Sequence, residues 1–155
     1  MDIIELKEKE GIFENEKSRR IFDQYQKLLN ELRKKELPHK IIESANQDID
    51  DLNSTSFTGK ELKKMFKRKQ GKLIELLEKE LKIVPKNYYR NRWLAGGMFI
   101  FGLPIGFLFG LILFEDQSLI SIGLPVGMSI GICFGSIMDK KAFKEGRQLD
   151  VKIKY

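Results

Sequence analysis

The sequence is poor in the residues that carry most catalytic chemistry: it has one histidine, His39, and one cysteine, Cys133, in 155 residues. A single cysteine excludes a disulfide framework. A single histidine without nearby cysteines makes neither a zinc site nor a serine–histidine–aspartate arrangement. The glycines lie in apolar runs rather than between a strand and a helix, which excludes a phosphate-binding loop. We therefore predict no enzymatic activity, no metal and no cofactor.

The first thirty residues lack an apolar run, because charged side chains recur throughout them. We therefore expect no cleavable signal peptide. Charged side chains become scarce further along the sequence: residues 93–138 contain two of them, Glu115 and Asp116. The net charge of +6 and the mean hydropathy of −0.30 hide this division between a charged first part and an apolar second part.

Two uncharged runs are each long enough to cross a bilayer. They comprise residues 93–114 and residues 119–138, and about 20 apolar residues in a helix span the hydrocarbon core. Only the polar residues 115–118 separate them, so we predict two antiparallel transmembrane helices joined by a tight turn. The alternative is a pair of buried helices in a soluble protein, which uncharged runs of this length disfavour.

Basic residues set the orientation that we predict for this hairpin. Lys86, Arg90 and Arg92 precede the first run, further lysines follow the second, and the turn has neither lysine nor arginine. The positive-inside rule therefore places both flanks of the hairpin in the cytoplasm. Trp93 stands where an aromatic belt is expected at the inner interface.

Glycine recurs at every fourth position in both runs, and this is the most specific signal in the sequence. The glycines concerned are Gly102, Gly106, Gly110, Gly123, Gly127, Gly131 and Gly135. Their spacing places them near one face of each helix, where they let two backbones approach closely in lipid. A symmetric turn predicts pairs at equal depth: Gly110 with Gly123, Gly106 with Gly127, and Gly102 with Gly131. Packing between copies of the chain is the alternative use of these faces.

Each run also contains a proline within a repeated Gly-Leu-Pro-x-Gly segment, Pro104 in the first and Pro125 in the second. Each proline removes one helical hydrogen bond and is expected to bend its helix. Transporters use interrupted helices as binding sites, but these runs offer no charged ligand group. We therefore expect the prolines to shape the hairpin.

Three amphipathic helices are predicted before the hairpin, over residues 18–36, 38–52 and 58–83. Apolar residues recur in each at helical spacing. The third begins at Thr58, which forms a predicted capping box with Glu61. Such stripes favour a small antiparallel bundle, and we expect self-association or membrane contact to complete its small core.

The third helix carries a basic block that consists of Lys60, Lys63, Lys64, Lys67, Arg68, Lys69 and Lys72. Its functional interpretation is binding to an anionic lipid, a polyanion or an acidic protein. The alternative is a solvated face, paired in part with Asp48, Asp50 and Asp51 of the preceding helix. Nucleic-acid binding is not favoured, because no recognition motif accompanies the charge.

The chain after the hairpin is predicted to remain helical to Glu145, with Gly146 as the stop. Apolar residues then alternate with polar ones, as in a strand: Leu149, Val151, Ile153 and Tyr155. A lone strand needs an edge to pair with. The segment around Ile4 and Leu6 or the sheet of a partner protein could supply it, and a frayed terminus is the alternative.

The paired Gly-Leu-Pro-x-Gly segments and the exit sequence DKKAFKEGR (residues 139–147) resemble those of small bacterial membrane proteins with glycine-zipper hairpins. The sequence PKNYYRN (residues 85–91) is similar to versions from the Bacteroidetes. The resemblance covers roughly the C-terminal half. It implies a hairpin in a bacterial inner membrane and brings with it no activity and no functional residues.

These patterns predict an all-α protein with a charged cytoplasmic helical domain (1–85), a transmembrane hairpin (86–138), and a basic cytoplasmic tail (139–155), whose end is either a short strand or a frayed terminus. The predicted function is a membrane-anchored interaction or scaffold module. Its expected partners are the lipid bilayer, anionic lipid, and either another protein or a second copy of this chain. Arg90, Arg92, Trp93 and the basic block are the predicted contacts with lipid or partner. The alternative is a small oligomeric pore, which the lack of a polar stripe in the runs disfavours.

Overall fold

A computed structural model describes residues 2–8, 16–113 and 120–153 of the chain. Nearly all of its regular structure is helical, and the described strands are two short ones that pair with each other. The predicted all-α class is therefore confirmed. The predicted turn at 115–118 lies outside the described residues, as does Tyr155.

The chain divides into two units, which we call the helical unit and the hairpin unit. The helical unit comprises residues 1–85 together with residues 149–155, and the hairpin unit comprises residues 86–148. The predicted tail, residues 139–155, is therefore split between the two units, because residues 149–153 belong with the helical unit.

Three helices build the helical unit: α1 (Glu16–Arg33), α2 (His39–Ser54) and α3 (Gly59–Leu81). Helix α3 packs against both α1 and α2. Pro38 stands immediately before α2, where its fixed φ suits the start of a helix. All three helices begin and end within three residues of their predicted bounds.

The entry into α3 differs from the predicted capping box. Thr58 occupies the N-cap position, but within the described part of the chain its side chain makes no capping hydrogen bond. Gly59 has a φ of +55°, so the chain enters α3 through a left-handed residue. After a standard N-cap residue, the chain has helical geometry from the first residue of the helix onward. In α3 that first residue is the left-handed Gly59 instead.

The predicted apolar stripes form the core of the helical unit. The ring of Phe66 packs edge-on against Phe22 and Tyr25, with ring centroids 5.8 and 6.2 Å apart. Around these rings lie further buried side chains from all three helices: Leu28, Leu29, Leu32, Ile41, Ala45, Ile49, Leu52, Leu62, Leu73, Ile74 and Leu77. The helical periodicity thus identified the buried face of each helix correctly.

Two strands flank the hairpin unit in the sequence and pair in parallel: β1 (Val84–Lys86) and β2 (Gln148–Lys152). Leu149 and Val151 are buried, as the alternating pattern predicts. The strand therefore forms and β1 supplies its edge, whereas the segment around Ile4 and Leu6, one of the alternatives left open by the sequence, does not. Proline lacks an N–H and is confined to edge positions in sheets. In the sequence, Pro85 therefore indicates the end of a helix and gives no sign of the strand β1.

The first apolar run is not a uniform α-helix. It passes through α4 (Tyr88–Gly97), a π-helical turn over Met98–Gly102, α5 (Leu103–Phe107) and a second π-helical turn over Leu108–Leu113. In the first π-turn the Leu103 N–H donates a hydrogen bond to the carbonyl of Met98, five residues back. The next residue, Pro104, has no N–H to offer, and a widened turn beside it is one way to accommodate that loss.

The second apolar run lies in one helix, α6 (Ile120–Lys144), which continues through Pro125. The Ser129 hydroxyl donates to the Pro125 carbonyl at 2.9 Å, the expected bond of a serine to its own helix. At the C-terminus Gly146 has a φ of +69°, and the Arg147 N–H donates to the Ala142 carbonyl at 2.9 Å. The helix stop predicted at Gly146 is therefore confirmed.

Tyr25 is fully buried, and its hydroxyl has no hydrogen-bond partner among the described residues. Burial raises the pKa of this phenol well above its usual value, and the negative charge of Asp48 raises it further. A buried polar group without a partner destabilises the fold by about 1–3 kcal/mol.

We expect Tyr25→Phe to raise the free energy of unfolding by about 1 kcal/mol, because it removes the unpaired hydroxyl and keeps the ring. The folded pKa lies above the unfolded value of about 10, so wild-type stability falls as pH rises from there through the folded pKa. The variant lacks this alkaline loss. Urea unfolding of the full chain in detergent, followed by circular dichroism at neutral and alkaline pH, measures both effects. A variant less stable than wild type at neutral pH would contradict the assignment.

Candidate functional site: a glycine-lined hairpin with an apolar exterior

The glycines predicted to pack the hairpin are all buried. A methyl group in place of the Gly127 hydrogen would lie 2.5 Å from Gly102 Cα, and one at Gly135 would lie 2.5 Å from Arg90 Cα. At both positions the obstacle is the backbone of the facing helix, which cannot rotate away as a side chain can. Glycine is therefore required for the two helices to pack as they do, and the structure places these faces against each other within one chain.

The predicted pairing of the glycines is wrong by about one helical turn. Gly102 lies against Gly123 and Gly127 instead of Gly131, and Gly106 lies against Gly123. A π-helical turn closes its hydrogen bonds over five residues and thus takes more residues per turn than an α-helix. The first run contains two such turns, so each glycine of α6 faces a residue of lower number than a symmetric pair of α-helices would give.

Gly97 belongs to the same interface, although the search for spacing by four did not find it. A methyl group there would lie 2.6 Å from the Gly127 oxygen and 2.6 Å from Gly131 Cα. It precedes Gly102 by five positions, and the π-helical turn falls between them. A glycine pair at spacing five is the sequence signal that could have revealed it.

The exterior of the hairpin unit carries large apolar side chains that are at least one-third exposed: Phe99, Ile100, Leu103, Phe107, Leu108, Phe109, Ile122, Val126, Ile132, Phe134, Ile137 and Met138. Soluble monomers rarely expose contiguous apolar patches larger than a few hundred Å². The unit thus reverses the usual order, with its smallest residues inside and its largest apolar residues outside.

Two helical stretches are long and apolar enough to cross a membrane, Tyr88–Gly110 and Ile122–Lys144. Each has 23 residues, and the most apolar 18-residue windows of the two stretches have mean hydropathies of 1.7 and 1.5. Only 22% and 28% of their most apolar windows are buried. A core helix of a soluble protein is mostly buried, so this exposure is better suited to lipid.

Asp139, near the C-terminal end of α6, caps the first residues of α4. Its carboxylate accepts hydrogen bonds from the backbone N–H groups of Tyr89 at 3.1 Å and Arg90 at 2.9 Å. The first N–H groups of a helix have no partner within the helix, and the positive end of the helix dipole favours a carboxylate. The buried Asp139 thus joins the two helices at the end of the hairpin where the chain enters and leaves.

The residues predicted at the inner interface lie beside this cap. The Arg92 guanidinium donates to the Tyr88 hydroxyl at 3.0 Å. The Trp93 ring lies 6.2 Å from the ring of Phe134, and the Trp93 carbonyl lies against Gly131. Trp93 therefore takes part in helix packing within the chain, while Arg92 remains exposed.

The basic block of α3 does not form one surface. Lys69 is buried and donates to Asp48 at 2.8 Å and to Asp51, and Lys72 donates to Asp48 at 3.1 Å. Burial lowers the pKa of Lys69, but its hydrogen bonds to the two carboxylates outweigh that effect, so the net shift is upward. The hydrogen bond from Lys69 lowers the pKa of Asp51. Two members of the block are thus engaged with α2.

The remaining exposed members of the block share one face of α3: Lys60, Lys64, Lys67 and Arg68. Their spacing of four, three and one keeps them together on the helix surface. Lys63 is half-buried beside them. We call these four exposed residues the basic stripe, and they are the exposed part of the basic block outside the hydrogen bonds of Lys69 and Lys72 to α2.

We expect Gly127→Ala to destabilise the hairpin by about 1–3 kcal/mol, because the added methyl meets backbone. Gly71→Ala is the matched control, since nothing lies within 4 Å of a methyl group there, and alanine in mid-helix should stabilise by about 0.5–1 kcal/mol. Thermal unfolding of both variants in detergent compares them. Equal effects at the two positions would contradict the close packing.

We expect Asp139→Ala to lower stability by about 1 kcal/mol, because the N–H groups of Tyr89 and Arg90 lose their acceptor. Asp139→Asn keeps one oxygen acceptor and should recover part of the loss. Hydrogen exchange at these two amides reads out the cap directly. Unchanged protection in the alanine variant would rule out the capping role.

The chain matches no protein-family model, no curated protein and no solved structure. Its function must therefore be argued from its own residues. The glycine interface, the apolar exterior, the Asp139 cap and the basic stripe are the observations that bear on it.

Proposed function

We propose that the chain is a membrane-anchored interaction module, in which the hairpin unit spans a bilayer and tethers the helical unit to one membrane face. The observation that carries this proposal is the inverted arrangement of the hairpin unit, with glycine backbones inside and large apolar side chains outside. In water, each exposed Å² of apolar surface costs about 25 cal/mol relative to burial. Lipid removes that cost without any further protein contact.

The mode of helix packing also favours lipid. Between helices in a bilayer there is no hydrophobic drive to associate, so close van der Waals contact of small residues becomes the main attraction. The contact of Gly97 and Gly102 with the glycines of α6 provides this attraction. A water-soluble helix pair would instead be expected to bury leucine or isoleucine at its seam.

The charges at the ends of the hairpin support an orientation. Lys86 and Arg92 lie at the entry to the first span, and Lys140, Lys141 and Lys144 lie at the exit from the second. All five side chains are exposed. By the positive-inside rule, both flanks are cytoplasmic. The resemblance to bacterial glycine-zipper proteins supports the bacterial inner membrane as the location.

The helical unit is the working part of this proposal. It has its own buried core and carries the basic stripe on α3. Clustered lysine and arginine side chains attract anionic headgroups by about 1 kcal/mol each near the membrane surface. Anionic lipid and an acidic protein surface are therefore the partners that the stripe fits, and a scaffold that gathers such partners at the membrane is the role we infer.

An oligomeric pore is the alternative function. Water-filled pores are lined by carbonyls, charged rings or other polar groups. Among the described residues, the glycine faces contact each other within one chain and the outward faces are apolar. The exposed Ser129 bonds to its own helix. No observation therefore favours the pore.

The proposal predicts that the full chain resists extraction from bacterial membranes by carbonate. In a Cys133→Ser background, a cysteine at Gln117 should react with an impermeant maleimide in intact spheroplasts. A cysteine at Glu43, on the exposed surface of α2, should react only after lysis. Carbonate extraction of the chain, or labelling of both sites in intact cells, would contradict the anchoring or the orientation respectively.

A matched pair of variants controls for nonspecific membrane adhesion. Phe107 and Phe143 are both exposed phenylalanines, at 53% and 69%. Phe107 lies inside the uncharged run 93–114, whereas Phe143 lies beyond the uncharged run 119–138, among the lysines at the end of α6. A lysine at the centre of a span opposes insertion by about 2.5–3.5 kcal/mol. Phe107→Lys should therefore reduce the membrane-inserted fraction, and Phe143→Lys should leave it unchanged.

A further inference from the structure

The helical unit exposes a large apolar side chain, that of Phe57, which is 49% exposed. Among the described residues, the other large apolar side chains that are at least one-third exposed all belong to the hairpin unit. A hydrophobic residue directly before an N-cap often packs against the fourth residue of the helix. In α3 that fourth residue is Leu62, which is buried, yet about half of the Phe57 surface stays in solvent. The fold of the helical unit therefore leaves much of this ring unused.

The connection between α2 and α3 holds Phe57 in its exposed position. The Thr55 N–H donates a hydrogen bond to the Asp51 carbonyl at 3.2 Å, and the Thr55 hydroxyl accepts one from the Phe57 N–H at 3.3 Å. Gly59 then turns the chain into α3 with its left-handed φ of +55°. The backbone on both sides of Phe57 thus has a defined geometry, and the ring is presented to solvent by an ordered segment.

Phe57 lines a cleft of about 450 Å³ on the surface of α3. The other described lining residues are Glu61, Lys64, Met65 and Arg68. Phe57 and the half-buried Met65 form its apolar part, and the flexible methionine side chain adapts its shape to a binding partner. Ligand sites are typically clefts of about 300–1,000 Å³ that combine an apolar lining with a few polar groups. The cleft has this size and this mixed lining.

The edge of the cleft is mainly positive. Lys64 and Arg68 belong to the basic stripe and line the cleft together with the carboxylate of Glu61. Lys60, Lys64 and Arg68 follow one another at a spacing of four, so they stand about 6 Å apart along α3. Carboxylates four residues apart on a helix have the same spacing, and carboxylates two residues apart on an extended segment are about 6.6 Å apart. The stripe therefore matches acidic side chains of a partner segment in either conformation.

We propose that this cleft and the basic stripe form a docking site for an acidic segment of another protein. The segment places one bulky apolar side chain between Phe57 and Met65, and its carboxylates lie against Lys64 and Arg68. Buried aromatic and arginine side chains dominate the binding energy of many protein interfaces, and this site offers one of each. The inference rests on the proposed function, because it states which kind of partner the helical unit gathers.

Two features of the cleft favour a protein segment over a lipid surface. A bilayer fills a concave cleft only if a lipid leaves its layer, whereas a projecting side chain fills it directly. An anionic bilayer would also bring negative charge to Glu61, which would repel it. A protein segment can place a neutral or basic residue opposite Glu61 and acidic residues opposite the cations, because protein interfaces match charges of both signs at individual positions.

Selection from a library of random dodecapeptides displayed on phage tests the proposal. The target is the full chain held in a nonionic amphipol, so that selection does not depend on whether the hairpin unit spans a bilayer. We expect enriched peptides to combine one bulky apolar residue with at least two acidic residues. One enriched peptide is then synthesised with a fluorophore, and its affinity for each variant is measured by fluorescence anisotropy.

Two substitutions at the cleft are each compared with a matched control. Phe57→Ser should weaken peptide binding by on the order of tenfold, because the apolar contact is lost, and Phe143→Ser, at an exposed phenylalanine of the hairpin unit, should leave it unchanged. Arg68→Glu should also weaken binding by on the order of tenfold, because attraction becomes repulsion. Lys79→Glu makes the same change in the last turn of α3 and should have little effect. Circular dichroism checks that each variant is folded.

Three outcomes would overturn the proposal. The first is a selection that enriches no peptide, or only peptides without acidic residues. The second is an enriched peptide whose affinity Phe57→Ser and Arg68→Glu leave unchanged, which would place the contact elsewhere on the chain. The third is sedimentation of the chain with phosphatidylglycerol vesicles that Phe57→Ser abolishes, without any peptide binding, which would assign the cleft to lipid.

Carbonate extraction separates this inference from the proposed function on which it rests. The Phe57→Ser chain should resist extraction from bacterial membranes as well as wild type does, because Phe57 lies outside both apolar runs. A chain that resists extraction but selects no acidic peptide would overturn the docking site and leave the anchor in place. A chain that binds the peptide but is extracted by carbonate would overturn the anchor and leave the docking site in place.

Discussion

The close approach of two helix backbones is the constraint on which the hairpin unit depends. At Gly123 and Gly127 the facing atoms are those of Gly102 and Gly106, with no room for a methyl group between them. Glycine loses more conformational freedom on folding than any other residue, so a helix rich in glycine is intrinsically weak. The contact offsets this weakness only where the two backbones meet, which ties the stability of each helix to the presence of the other.

The remaining features of the hairpin follow from that approach. Gly135 lets Arg90 come close, and one turn later along α6 the Asp139 carboxylate reaches the free N–H groups of Tyr89 and Arg90. A larger residue at position 135 would separate the helices and move the cap out of reach. The large apolar side chains, displaced from the interface, cover the outside. Packing, capping and exterior are thus consequences of one spacing of glycines.

The sequence predicted the parts of this structure that depend on local periodicity. Residues such as Phe22, Leu28 and Ile49 recur at helical spacing and are buried as expected, because the burial of an amphipathic helix face follows from its own residues. The glycine faces were predicted for the same reason. The register of the hairpin was not, since it depends on π-helical turns beside Pro104 that change the number of residues per turn. A regular α-helical period cannot contain that information.

The interactions that sequence reasoning missed join residues far apart in the chain. Asp139 caps a helix whose first residues lie fifty positions earlier, and Asn46 binds the backbone of Ile4. The sequence shows an aspartate after an apolar run and an asparagine on a helix, and neither pattern indicates which backbone groups these side chains bind. Lys69 was placed in a surface block, but its hydrogen bond to the buried Asp48 turns it inward. Such pairings are decided by tertiary structure.

The pairing of β1 with β2 has a consequence for the order in which the protein is made. Leu149, Val151 and Ile153 are buried in the helical unit, yet they follow the whole hairpin unit in the chain. Synthesis proceeds from the N-terminus, so α1, α2 and α3 leave the ribosome before residues 149–153 have been made. Until then, part of the apolar surface of the helical unit stays uncovered. The core closes only after both apolar helices have been made. Completion of the helical unit therefore follows synthesis of the hairpin, and a chain truncated within the hairpin lacks the residues that complete this core.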